Sequence, residues 1–161
     1  MSIWTTPERD ALRKTVRAFA EREILPHVDE WERSGELPRS LHEAAGAAGL
    51  LGAQAPESVG GGGGDGADAV IVCEELHYAG VPGGVFSSLF TCGISTPHMI
   101  ASGDQRLIDT YVRPTLAGDL IGALAITGDS PNTQLWDVDD PLAPRPLSTS
   151  LPNSTAGSWS I

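Results

Sequence analysis

Up to residue 118 the apolar side chains recur at helical spacing, in runs that proline and glycine cut short. A face that repeats every three or four residues builds packed helices, not a sheet. The first run is the clearest. Thr6 can cap it, Pro7 suits its first position, and Glu8 favours the positive end of its dipole. Leu12, Val16, Phe19, Ala20 and Ile24 then share a face, and Pro26 ends the run. His27 to Arg33 reads as a short helical turn carrying Trp31, closed by Ser34-Gly35. A third helix starts near Pro38 with a small-residue face of Leu41, Ala44, Ala45 and Ala48. Gly49 is its left-handed cap.

Pro56 to Gly66 is a glycine-dense loop. Asp65 or Asp68 then caps a fourth helix, whose apolar stripe is Val70, Cys73, Leu76 and His77, with Glu74 and Glu75 pointing elsewhere. Val85 to Ala101 predicts a mostly buried fifth helix that Pro97 kinks or restarts. Asp104 caps a sixth, carrying Leu107, Ile108, Tyr111 and Val112 and stopped by Pro114. Leu120 to Thr127 reads as the first strand of a new layer. Beyond Gly128 five prolines and dense serine and threonine leave no apolar period. A segment of that kind buries too little to offset its ordering entropy, so disorder is expected. The expected architecture is mostly α: a bundle of about six helices over 1–118, the start of a β-domain over 119–127, and a disordered tail over 128–161.

A net charge of −11, with ten scattered basic residues, argues against nucleic acid and anionic membranes as partners. Cys73 and Cys92 lie on apolar stretches with no second Cys or His read at metal spacing, which suggests two buried free thiols in a reducing compartment. The chain opens without a basic and apolar leader, and no stretch is long enough to span a membrane. A cytoplasmic protein is the default expectation.

Signals for chemistry are sparse. Gly61, Gly63 and Gly66 satisfy the spacing G-x-G-x-x-G, but Pro56-Glu57-Ser58 replaces the strand that a dinucleotide site needs, and no carboxylate lies about twenty residues on. A flexible connector is the better reading, and no Walker loop is present. Glu74-Glu75 beside His77 reads as a solvated pair next to a boundary histidine. His27, His42 and His98 are isolated. No metal site and no catalytic group stands out. Trp4 and Trp31 read as core or boundary anchors, and Trp136 and Trp159 have no evident role.

Taken in order, several segments resemble the amino-terminal domain of acyl-CoA dehydrogenases. These are Thr6-Pro7-Glu8-Arg9 with Val16 to Glu21, Ile24 to Glu32, Ala48 to Gly52 with Pro56-Glu57 and the glycine run, Glu74-Glu75-Leu76, and Ser102 to Tyr111 with Pro114 and Gly118-Asp119. The resemblance spans about residues 5 to 127. It implies FAD as cofactor, an acyl-CoA thioester as substrate and an electron-transfer protein as acceptor. In the family a glutamate takes the α-proton while the β-hydride goes to the flavin. That glutamate belongs to a carboxy-terminal domain, so none is expected within this chain.

The family's flavin motif runs Thr-Glu-Pro, a glycine-rich turn, then Ser-Asp. Leu124-Ala125-Ile126-Thr127 matches the approach to it, and Gly128-Asp129-Ser130-Pro131 does not continue it. By resemblance Thr127 contacts the flavin, with Leu124 and Ile126 as backbone neighbours, and Phe90 and Gly93 line the acyl pocket. An abrupt loss of match followed by a Ser/Thr/Pro-rich tail is what a reading-frame shift would leave. A divergent short paralogue is the competing explanation. The expected function is that of a truncated flavin-dependent acyl-CoA dehydrogenase, inactive alone. The alternative is a non-catalytic helical protein that binds a partner such as another dehydrogenase subunit.

Overall fold

A computed structural model describes residues 4–123 and, as backbone, residues 136–137 and 145–146. In it the helical spacing becomes a packed bundle. Helix α1 (Pro7–Phe19) begins at Thr6, whose hydroxyl oxygen accepts the Arg9 N–H at 3.3 Å. A π-helical turn (Ala20–Ile24) and a 3-10 turn holding Pro26 (Leu25–His27) carry the chain into α2 (Val28–Ser34), which Gly35 ends at φ 73°. Helix α3 (Arg39–Ala47) follows Pro38, and Gly49 turns left-handed just beyond it. Helix α4 (Gly66–Tyr78) starts with a reciprocal capping box. Asp65 accepts from the Ala67 and Asp68 N–H groups, and Asp68 accepts from the Asp65 N–H at 2.8 Å.

Then come α5 (Gly83–Phe90), α6 (Cys92–Ser102), α7 (Gln105–Leu107), a π-helical turn (Ile108–Val112) and α8 (Arg113–Ala117). One apolar core joins Val16, Phe19 and Ile24 to Leu41 and Ala45 of α3, Val72 and Leu76 of α4, and Val85 and Leu89 of α5. A second joins Val59 and Met99 to Ile108, Val112 and Leu116.

Several expectations need correction. The expected fifth helix divides at Thr91, not Pro97. The Thr91 hydroxyl donates to the Ser87 carbonyl at 2.5 Å, and α6 runs through Pro97. Pro97 and Gly93 are both exposed, so the carbonyl that proline leaves unpaired can be hydrated. Pro114 does not stop its helix either. It is the second residue of α8, directly after the π-helical turn, and Gly118 at φ 87° makes the stop.

The glycine run is not a loose connector. The N–H groups of Gly61, Gly62, Gly63 and Gly64 donate to the carbonyls of Pro56, Gly52, Ala55 and Ala53 at 2.8–3.0 Å. A Cβ on Gly61 would overlap the Ala55 carbonyl, so glycine is what lets the two backbones meet.

Helix α4 is also turned about its axis relative to the expected stripe. Ile71, Val72, Glu75 and Leu76 are buried, whereas Val70 is 45% exposed and His77 is exposed. The cause is a pair of arginines on α1 that draw Glu75 inward. Trp4 is more exposed than an anchor would be, while Trp31 packs at the edge of the core.

Residues 120–123 carry no strand, and Gly122 lies against Cys92, where a Cβ would stand 3.0 Å from the Cys92 Cα. Leu124 to Thr127, the rest of the expected first strand, lie outside the described residues, as does most of the expected disordered tail. Within that tail, backbone strands Trp136–Asp137 and Arg145–Pro146 pair antiparallel.

Candidate functional site

Two features of the bundle could carry function: an ionic seam between α1 and α4, and an open aromatic face on α5 and α6. The seam follows from spacing. Arg9, Arg13 and Arg17 stand one turn apart on α1. Arg9 reaches Asp65 at 2.7 Å and Asp68 at 2.9 Å, Arg13 reaches Glu75 at 2.7 Å, and Arg17 also holds Glu75. The two helices therefore run parallel. The Glu75 side chain is 2% exposed, and both its oxygens are bonded. Its carboxyl is held below the ordinary value by the Arg17 hydrogen bond first and then by Arg13, against the opposing effect of burial. Asp68 is likewise lowered, chiefly by Arg9. A cleft of about 640 Å³ opens over the seam between Arg17, Glu21, Glu74 and Tyr78. Every buried charge here is already paired, so the seam reads as architecture and not as an acid or base. Glu75 is thus not half of a solvated pair, and the two arginines a helical turn apart were the sequence signal for it.

The second feature is apolar. Phe86 and Phe90 stack at 4.8 Å, one turn apart on α5, and the His77 ring lies 4.9 Å from Phe86. Phe90 is half-buried. Gly93 and Ile94, a turn further along, are exposed, and a Cβ on Gly93 would meet nothing within 4 Å. Phe86 and Phe90, half-buried against the larger core, and the exposed Gly93 and Ile94 share a helical spacing that makes one face across the break at Thr91, and Gly122 lies against the neighbouring Cys92. The structure brings the two expected acyl-pocket residues, Phe90 and Gly93, onto this face. The three expected flavin neighbours, Leu124, Ile126 and Thr127, lie outside the described residues. Below the face, His42 is buried on α3, with Nε2 3.3 Å from the Ser88 carbonyl and Nδ1 unpartnered. Burial, more than the nearby Arg39, pushes its pKa down.

Residues 6–119 match the family model described as acyl-CoA dehydrogenase, N-terminal domain. The chain belongs to the acyl-CoA dehydrogenase family. It is 39% identical over 131 residues to the mitochondrial long-chain specific acyl-CoA dehydrogenase of Sus scrofa, covering 81% of this chain and 30% of that protein. It is 33% identical to the caffeyl-CoA reductase-Etf complex subunit CarC of Acetobacterium woodii, over 78% of this chain and 33% of that one. A crystal structure named for an acyl-CoA dehydrogenase of Mycobacterium smegmatis superposes with a TM-score of 0.77 at 75% identity, over 80% of this chain and 34% of that chain. The chain thus spans about a third of the length of these relatives.

Among the described residues no three or more His, Cys, Asp and Glu side chains gather as a metal site, and no helix is long and apolar enough to cross a membrane. One local pair escaped the sequence reading. Cys73, half-buried, has His77 one helical turn on, and the two side chains meet. Cys92 is the buried thiol, and burial pushes its pKa up.

Proposed function

We propose that this chain supplies the amino-terminal helical part of a flavin-dependent enzyme that oxidises the α,β carbon–carbon bond of an acyl-CoA thioester, and that the 161-residue chain is inactive by itself. The observation that carries the reading is the match of residues 6–119, together with an open aromatic face on the helices that the resemblance assigns to the acyl pocket. Phe86 and Phe90 offer an apolar wall for an acyl chain, and Gly93 leaves a notch beside it. Their part is to orient the chain and exclude water.

These residues fit the acyl group but offer no hydrogen-bonding set for a flavin. By resemblance that set begins at Leu124, Ile126 and Thr127. FAD would supply the hydride acceptor. The α-proton needs a free carboxylate, and Glu75, buried and doubly ion-paired, is not one. An electron-transfer protein as acceptor is supported by the relative named for an Etf complex. A cytoplasmic location belongs to the same reading.

Purifying the chain with and without added FAD tests this. Flavin absorbance that travels with the protein through gel filtration would support a cofactor site within it. Turnover of any acyl-CoA with an artificial acceptor would overturn the claim of inactivity. The open face also favours a second reading, a non-catalytic partner of a dehydrogenase subunit. A colourless protein that co-purifies stably with a full-length relative would favour that one.

A further inference from the structure

On α4, where the His77 ring borders Phe86 of the aromatic face, Cys73 Sγ lies 3.7 Å from His77 Nδ1. The thiol is free, and the histidine is exposed. The contact comes from the i, i+4 offset on a helix. The His77 ring is steadied from the other side by Phe86 at 4.9 Å. A zinc ion takes thiolate sulfur at about 2.3 Å and imidazole nitrogen at about 2.0–2.1 Å. At a tetrahedral angle those bonds put the two donor atoms about 3.6 Å apart. The spacing found here is close to that, and a turn of the His77 ring would take Nδ1 from the Cys73 carbonyl to the ion.

We propose that Cys73 and His77 form a two-ligand site for a borderline-soft divalent cation, with zinc as the natural class and water in the remaining positions. One sulfur and one nitrogen donor disfavour magnesium and calcium, which require oxygen. In the metal-free chain the His77 Nδ1–H donates to the Cys73 carbonyl at 2.7 Å. Binding exchanges that bond for one to the metal, the imidazole proton moves to Nε2, and the thiol proton is released to solvent. One proton therefore leaves for each ion bound. Glu74, the adjacent carboxylate, is engaged by Arg13 at 3.6 Å and is not counted as a ligand.

The test is titration of the full chain with cobalt(II), whose thiolate complexes absorb in the near ultraviolet, followed by displacement with zinc. The expected result is a saturable one-to-one band, release of one proton, and loss of the band when zinc is added. Cys73→Ser should abolish the band, His77→Ala should weaken binding about tenfold or more, and Cys92→Ser should leave it unchanged. Far-ultraviolet circular dichroism checks that the variants keep their helices. Should Cys73→Ser fail to fold, zinc protection of Cys73 against alkylation in the unaltered chain reads the same contact. No band and no protection, a band unaltered by His77→Ala, or a band lost with Cys92→Ser would each overturn the site.

Discussion

Glu75 is the residue on which the α1–α4 seam depends. Its carboxylate is buried, and both counter-charges come from another helix. Replacing it with glutamine leaves two arginines without their partner. Removing one member of a buried pair costs several kcal/mol, but these arginines reach solvent. The expected loss is therefore about 2 kcal/mol, read as a lower denaturation midpoint. The pH dependence follows. Because the folded state holds Glu75 and Asp68 below their ordinary values, their contribution is present above those values and lost as pH falls through the folded ones. Glu75→Gln should flatten the acid limb of a stability–pH curve.

His42 acts in a different window. Burial lowers its pKa below the ordinary 6.5, so the folded state resists charging while the unfolded chain accepts the proton. Stability should fall as pH drops below 6.5, and His42→Phe should remove that slope. None of this was legible at single positions. Glu75 beside Glu74 looks like a surface pair until Arg13 and Arg17, some sixty residues earlier, are placed over it.

At the scale of elements, the helices were legible where caps and apolar spacing agreed. Thr6-Pro7 and Asp65 begin helices as their chemistry dictates. Proline was the unreliable signal, because its cost depends on where the lost bond would have been. Pro97 frees a carbonyl on an exposed face, and Pro114 follows directly on a π-helical turn whose bonds already depart from the regular ladder. Periodicity also misjudged α4, since an ion pair and not hydropathy decided which side faces α1.

The glycine run shows the same limit. Its composition says only that backbone can bend there, whereas the bonds between residues 52–56 and 61–64 make it a packed element. Gly61→Ala should cost about 2–3 kcal/mol in thermal or chemical denaturation, because the neighbouring backbone must move. Gly93→Ala is the contrast. It meets open space within α6, so the helix should gain about 0.5–1 kcal/mol, leaving any effect on acyl binding to be measured without a folding penalty.

For the molecule as a whole, the order and spacing of its segments were enough to place the chain in its family, and the bundle bears out the helical part. The face proposed to meet an acyl chain emerges only when α5 and α6 are read end to end, which sets Ile94, 52% exposed, one turn beyond Phe90. An apolar dye should bind that face, and Ile94→Ser should reduce the fluorescence while changing stability by less than about 0.5 kcal/mol. The seam also has a bearing on synthesis. Arg9, Arg13 and Arg17 leave the ribosome 56 to 62 residues ahead of the carboxylates that hold them. Until then α1 is an amphipathic helix whose buried face lacks its α4 neighbours Val72 and Leu76. Between the two events α1 passes through an interval of exposure, and it ends only when α4 emerges to close over it.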